Sequence, residues 1–406
     1  MKNTLIIGAC LLFAQHIAIA QTSQYKPVEG KIMTEWAAQV TPENVHQEYP
    51  RPQMTRSTWV NLNGLWDYAI KAKGQAIPTS FDGEILVPFA VESALSGVGK
   101  TVGKDNELWY NTTFSTPKKS SKDKVLLHFG ASDWETEVFV NGESIGKHRG
   151  GYDPFDFDIT NHLKSGKTQN LQVRVWDPSD EGPQPRGKQV NNPNGIWYTP
   201  VTGIWQTVWL ETVPAAYISG LRNASDIKSK EIIVTPEIAG ATAGQQVKVS
   251  AWKDGVMLAE QTVKPSETAK LTISDAQLWA PGNPVLYDLK VELVDGKKIL
   301  DAVGSYAALR EISMAADENG IQRMMLNGEF LFQYGPLDQG WFPDGLYTAP
   351  SHEAMVFDIQ KTQDMGFNMI RKHVKVEPAT WYHACDKMGM LVWQDMPSGD
   401  MGNGWE

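Results

Sequence analysis

The stretch GFNMIRKHVKVEPATWYHACDKMGMLVWQD, residues 366–395, decides the fold of the C-terminal part. Phe367-Asn368-Met369-Ile370-Arg371 and Met390-Leu391-Val392-Trp393-Gln394 read as short strands. Between them Pro378 suits a first helical turn, and Trp381, Cys385 and Met388 recur at i, i+4, i+7. Gly389 then stands where a left-handed residue closes a helix. Upstream, Ser351 offers an N-cap with Glu353 in the first turn, and Met355, Val356, Ile359 and Thr362 share one helical face. Further back, the apolar run Phe330-Leu331-Phe332-Gln333-Tyr334 reads as a strand buried on both faces. Strand, helix, strand, helix, strand implies right-handed βαβ units in a parallel sheet. Residues 313–406 are therefore expected to start a (β/α)8 TIM barrel, about three strands of the eight, with the 406-residue chain stopping inside it.

Barrel sites gather at the C-terminal ends of the strands. Arg371 and Asp395 stand at two such ends. A guanidinium there can donate to sugar hydroxyls or hold a carboxylate ionised; the plainer alternative is that the two simply pair with each other. Lys372, His373 and Lys375 follow in the next loop, where a solvated face is the ordinary outcome. His373 has no second His or Cys at ligand spacing, so neither a metal nor a cofactor is expected.

Ahead of this part the pattern is all β. From Trp59 to about Val213 short strands are separated by Gly, Pro and Asn turns, with Asn141-Gly142 directly after a strand as the strongest hairpin signal. Residues 21–213 are expected to form a jelly-roll β-sandwich after a proline-rich lead-in. Period-two segments such as Gln246-Val247-Lys248-Val249-Ser250 make residues 214–312 an immunoglobulin-like sandwich without its usual disulfide. Trp66, Trp109, Trp176 and Trp209 fall in strands and are expected in cores, which leaves Trp341, Trp393 and Trp405 as loop tryptophans able to stack on a sugar. Asn106-Glu107 lies in the sandwich and is a decoy for a catalytic pair; Gly97-Val98-Gly99-Lys100-Thr101 lacks the first glycine of a phosphate loop.

Net charge of -10 over 406 residues argues against a nucleic-acid partner. Lys2, the apolar run Leu5–Ala14 and Ala18-Ile19-Ala20 read as a signal peptide over residues 1–20, predicting export to the periplasm or beyond. Cys10 lies inside the apolar run, so a lipid anchor is the lesser reading. No later run reaches a membrane span. Cys385 reads as a small buried hydrophobe.

The domain order resembles glycoside hydrolase family 2, the β-galactosidase, β-glucuronidase and β-mannosidase family. Leu62-Asn63-Gly64-Leu65-Trp66, Gly150-Gly151-Tyr152-Asp153-Pro154-Phe155, Thr202-Gly203-Ile204-Trp205-Gln206 and the strands ending in Arg371 and Asp395 carry the resemblance. It implies a retaining two-carboxylate glycosidase acting on an oligosaccharide or β-glycoside. Both catalytic glutamates of that family are expected past the last residue of this chain, leaving it without catalytic residues and inactive alone. The candidate substrate-binding set is Arg371, Asp395, Trp393, His373 and Asn194, of which the resemblance implies Arg371, Asp395 and Asn194, the last in a sandwich loop, Asn191–Gly195, expected to face the barrel mouth. Tyr334–Gln339 and the residues after Arg371 depart from the β-galactosidase pattern. The rival reading is a non-catalytic carbohydrate-binding or structural module. Sugar, linkage and oligomeric state are not legible.

Overall fold

The computed structural model describes residues 25–398. The signal-peptide reading, Cys10 and Trp405 lie outside the described residues. Among those residues no helix is long and apolar enough to cross a membrane.

Two antiparallel sheets face each other in the first sandwich. One holds Trp59–Asn61, Val208–Val213, Lys124–Phe129 and Phe155–Asp158; the other holds six strands in the order Gly83–Val87, Gly64–Ala72, Asn106–Ser115, Thr168–Trp176, Glu135–Val140, Glu143–Arg149. Glu135–Val140 alternates half-buried and buried side chains, the signature of a strand with one face on the core. The Asn141-Gly142 hairpin has φ +54° and +86°, the positive pair that a tight hairpin turn requires. Trp66, Trp109 and Trp209 are buried, as expected, whereas Trp176 is half-buried beneath Lys73, whose Nζ sits 3.1 Å from the ring centroid. Glu107 of the decoy pair is buried and accepts from Arg174 Nη1 and Gly74 N, both at 3.2 Å.

A second sandwich packs three strands, Tyr217–Asp226, Glu231–Ala239 and Ala269–Thr272, on four, Val256–Val263, Gln246–Lys253, Tyr287–Asp295 and Lys298–Ala307. Its core is Val, Ile, Leu and Ala with Tyr287 and Met54.

The C-terminal part is a three-stranded parallel sheet: β1 (Leu337–Asp338), β2 (Met369–Lys372) and β3 (Leu391–Gln394). Helix α1 (His352–Asp364) connects β1 to β2, and α2 (Ala379–Met388) connects β2 to β3. Ser351 caps α1 by accepting from Ala354 N at 3.2 Å, and Gly389 closes α2 at φ +77°. Ser351→Ala should therefore lower stability by about 1 kcal/mol, measured by urea unfolding; an unchanged midpoint would show the cap to be idle. Ile370 and Val392 pack on Met355, Ile359, Trp381 and the buried Cys385, so that face of the sheet belongs to the helices. On the opposite face Met369 and Leu391 rest on Trp279 of the second sandwich. Trp279 is fully buried, donates Nε1–H to Asp386 O at 2.7 Å and lies 4.5 Å under the Arg310 guanidinium, itself paired with Asp386.

One expected strand fails to form. Phe330-Leu331-Phe332-Gln333-Tyr334 is not a buried strand: Phe332 is 69% exposed, and Phe330 and Tyr334 are more than half exposed. Asn327-Gly328, with φ +56° and +82°, turns the chain into a hairpin in which Glu329–Phe330 pairs antiparallel with Gln322–Leu326. The parallel strand forms later, at Leu337. Gly335 is needed there, because a β-carbon would lie 1.6 Å from Met369 O.

Candidate substrate-binding site at the parallel strand ends

Along β2 the side chains alternate, so Ile370 and Lys372 face the helices while Met369 and Arg371 face away. Arg371 is in register with Leu337 of β1 and Trp393 of β3. Asp395, the residue after β3, receives two hydrogen bonds from it: Nε to Oδ1 at 3.1 Å and Nη2 to Oδ2 at 3.0 Å. His373 Nδ1 stands 2.7 Å from the same Oδ2. The Arg371 hydrogen bonds outweigh the burial that opposes them and, with His373 adding to their effect, hold the Asp395 carboxyl below the usual carboxylate range. Arg371 thus does pair with Asp395, yet its side chain remains 45% exposed against 22% for Asp395. Such a pair fixes the guanidinium in one orientation and leaves outward N–H groups for a ligand.

Trp393 lies inside β3 and not in a loop; it is 41% exposed and donates Nε1–H to Gln333 Oε1. Asn194 sits on an exposed loop tip, its side chain bonded to its own turn through Asn192 O at 2.8 Å. The structure therefore brings together Arg371, Asp395 and His373, sets Trp393 on the neighbouring strand in register with Arg371, and gives Asn194 no hydrogen bond to them.

Lys372 and Lys375 overturn the solvated-loop expectation. Both side chains are 1% exposed. Lys372 Nζ bonds Asp338 Oδ2 at 2.6 Å and Glu377 Oε1 at 2.8 Å. Lys375 Nζ reaches Glu377 Oε2 at 2.9 Å and the carbonyls of Gly340 at 2.6 Å and Tyr347 at 2.8 Å. Burial disfavours both ammonium charges. For Lys372 the carboxylates of Glu377 and Asp338 outweigh burial and raise its pKa, whereas Lys375, with Glu377 only partly compensating, is lowered to about 8. This network, on the helix side, ties the loops after β1 and β2 together. Sequence reasoning missed it, although strand alternation alone puts Lys372 on the buried face.

A cavity of about 330 Å³ lies elsewhere, between the first sandwich and the helices, lined in part by Gln53, Trp209, Phe342, Met355 and Tyr382. Some of its polar members are engaged, Arg51 with Glu211, Glu377 with the lysines and Tyr382 with Gln394, whereas Arg51 Nε and Gln53 Oε1 are buried without a hydrogen-bond partner.

A family model described as "Glycosyl hydrolases family 2, sugar binding domain" matches residues 98–214, and one described as "Glycosyl hydrolases family 2" matches residues 217–310. The chain is 28% identical over 313 residues to a β-galactosidase of Thermoanaerobacter pseudethanolicus, covering 73% of this chain and 39% of that protein. It is 21% identical over 374 residues to a β-glucuronidase of Streptococcus agalactiae, covering 86% and 59%. Among solved structures, the β-glucuronidase of Bifidobacterium dentium complexed with coumarin-3-O-glucuronide superposes with a TM-score of 0.70 at 20% identity, covering 86% of this chain and 62% of that one. The chain belongs to glycoside hydrolase family 2. It spans 39% and 59% of the length of the two relatives named.

Proposed function

We propose that this chain is the glycoside-holding part of a β-glycosidase that works by the retaining two-carboxylate route, and that β1 to β3 open a (β/α)8 barrel. The observation that carries this reading is the Arg371–Asp395–His373 group at the C-terminal ends of parallel strands, on the face away from the helices. In the retaining reaction a carboxylic acid protonates the leaving oxygen while a carboxylate about 5–5.5 Å away attacks the anomeric carbon. Asp395 is assigned neither role: Arg371 and His373 keep it ionised, which does not suit the acid, and their hydrogen bonds to both its oxygens engage the atoms a nucleophile would use. Asp338 and Glu377 are likewise held by lysines. These groups bind and orient; none of them is assigned as acid or nucleophile. Arg371 and His373 present N–H donors to sugar hydroxyls or a carboxylate, and the half-exposed Trp393 face offers apolar surface beside them.

Relatives named as β-galactosidases and β-glucuronidases make methyl β-D-galactoside and methyl β-D-glucuronide the probes to use. Arg371→Ala should weaken binding of the preferred glycoside roughly ten- to hundredfold by calorimetry, since hydrogen bonds to charged groups contribute about 1.5–3 kcal/mol. Equal affinity in the variant would remove Arg371 from the site. Sugar binding by residues 21–213 alone, unaffected by Arg371, would favour the non-catalytic module instead. Export with cleavage after Ala20 belongs to the same reading; a mature protein beginning at Gln21 in N-terminal sequencing is the expected result.

A further inference from the structure

One loop of the first sandwich touches the segments that follow all three parallel strands. It leaves after Glu181, and at its base Gln189 Nε2 donates to the buried Asp133 Oδ2 at 2.8 Å, while Gln189 Oε1 accepts from Val201 N at 2.6 Å. Beyond β3, Ser398 O accepts from both Arg186 N at 3.2 Å and Gly187 N at 3.0 Å. Beyond β2, Gly187 lies so close that an added β-carbon would stand 2.7 Å from Val374 O, and its φ of +62° favours glycine in any case. Beyond β1, Tyr198 stacks on Trp341 with ring centroids 4.6 Å apart and planes 24° from parallel. The loop thus crosses the strand ends at which Arg371, His373 and Asp395 stand.

The stacked pair is built to stay in place. Trp341 is braced edge-on by Tyr347 at 4.9 Å and 77°. Tyr198 is fixed through its backbone, accepting from Val190 N at 2.9 Å and donating to Lys188 O at 2.8 Å. Both rings are only half-buried. Two aromatic rings held at the end of β1, with a cationic, hydrogen-bonding group at the ends of β2 and β3, give the strand ends a flat apolar part and a polar part. A glycoside has the same division when its leaving group carries a flat apolar face.

We propose that Tyr198 and Trp341 form the leaving-group subsite, a platform for an aryl ring or for the apolar face of a second pyranose joined to the sugar held at Arg371. The proposal rests on the strand ends being a glycoside site. Its energy comes from burying a flat apolar face against rings that lose little freedom on binding.

The test is calorimetry on the full chain with three β-glycosides of one sugar: methyl, 4-nitrophenyl and the matching β-linked disaccharide, together with free 4-nitrophenol. Wild type should bind the 4-nitrophenyl glycoside or the disaccharide roughly tenfold more tightly than the methyl glycoside. Whichever arm shows the gain identifies the occupant. Trp341→Ala should erase the gain and leave methyl glycoside affinity within about twofold. Tyr198→Ala, on the other element, should reduce the gain with an unchanged circular dichroism spectrum, which guards against a misfolded Trp341 variant. Equal affinity for all three glycosides in wild type, or a gain that survives both substitutions, overturns the proposal. Trp341-dependent binding of 4-nitrophenol and its glycoside, without any effect of Arg371→Ala, would instead overturn the strand-end reading and keep the platform.

Discussion

Replacing Glu211 with alanine is expected to destabilise the protein by about 3–5 kcal/mol, because it removes the carboxylate shared by the buried Arg56 and the three-quarters-buried Arg51. Glu211 lies in the strand Val208–Val213, and its side chain is 1% exposed. Arg51 Nη2 donates to both of its oxygens at 2.9 and 3.1 Å, Arg56 Nε lies at 3.3 Å, and Trp209 Nε1 donates at 3.2 Å. Arg56 continues outward to Asp301 and to Ile218 O, both in the second sandwich. One carboxylate therefore joins the lead-in, the first sandwich and, through Arg56, the second. Burial pushes the Glu211 carboxyl up, but His128 at 3.5 Å and the arginine outweigh it and hold the group well below the usual carboxylate range. A folded pKa below the unfolded one adds stability above about pH 4.5 that is lost as pH falls through the folded value. Urea unfolding at pH 7 should show the full loss for Glu211→Ala. The gap to wild type should narrow in acid, where the wild-type carboxylate also protonates. A Glu211→Ala/Arg51→Ala pair that proved strictly additive would mean that the two residues are not coupled.

How much of this was legible follows from the range of the interactions. Ser351 as a cap, Gly389 as a left-handed closure and Asn141-Gly142 as a hairpin are local signals, and each stands where the sequence puts it. Arg371 and Asp395 were readable as strand-end residues because each follows a short apolar run before a loop. Phe330–Tyr334 was misread because an apolar run has the same composition whether it is buried or lies open at a sheet face. The turn signal Asn327-Gly328 just before it was the better guide. Lys372 and Lys375 were misread for a different reason. Their partners Asp338, Gly340 and Tyr347 lie some thirty residues earlier in the chain, and only the fold brings them within 3 Å. Buried lysine is rare enough that exposure is the correct default until such partners are seen. The Tyr198–Trp341 stack was invisible for the same reason, since it joins a sandwich loop to a strand-end loop across more than a hundred residues.

Glu377→Ala should cost about 3–5 kcal/mol as well, and its pH dependence sets it apart from Glu211. Glu377 is shared by both buried lysines. Without it Lys372 keeps Asp338, but Lys375 keeps only two carbonyl oxygens. Burial already lowers Lys375 to about 8 from 10.5, with Glu377 the first influence opposing that fall. A lysine whose folded pKa lies below its unfolded value binds its proton more weakly when folded, so stability rises with pH between about 8 and 10.5. Removing Glu377 lowers the folded pKa further and deepens the penalty below pH 8. Above pH 8 Lys375 is neutral in both folded proteins, and that part of the difference vanishes. The loss measured by urea unfolding should therefore be larger at pH 7 than at pH 9.5. The Lys372 share should persist at both, because its pKa is raised above the ordinary lysine value. Glu377→Gln, which retains an acceptor without the charge, should fall between alanine and wild type at pH 7. A deficit equal at both pH values would show that Lys375 does not hold a proton against burial, and the network would then be a single pair between Lys372 and its carboxylates.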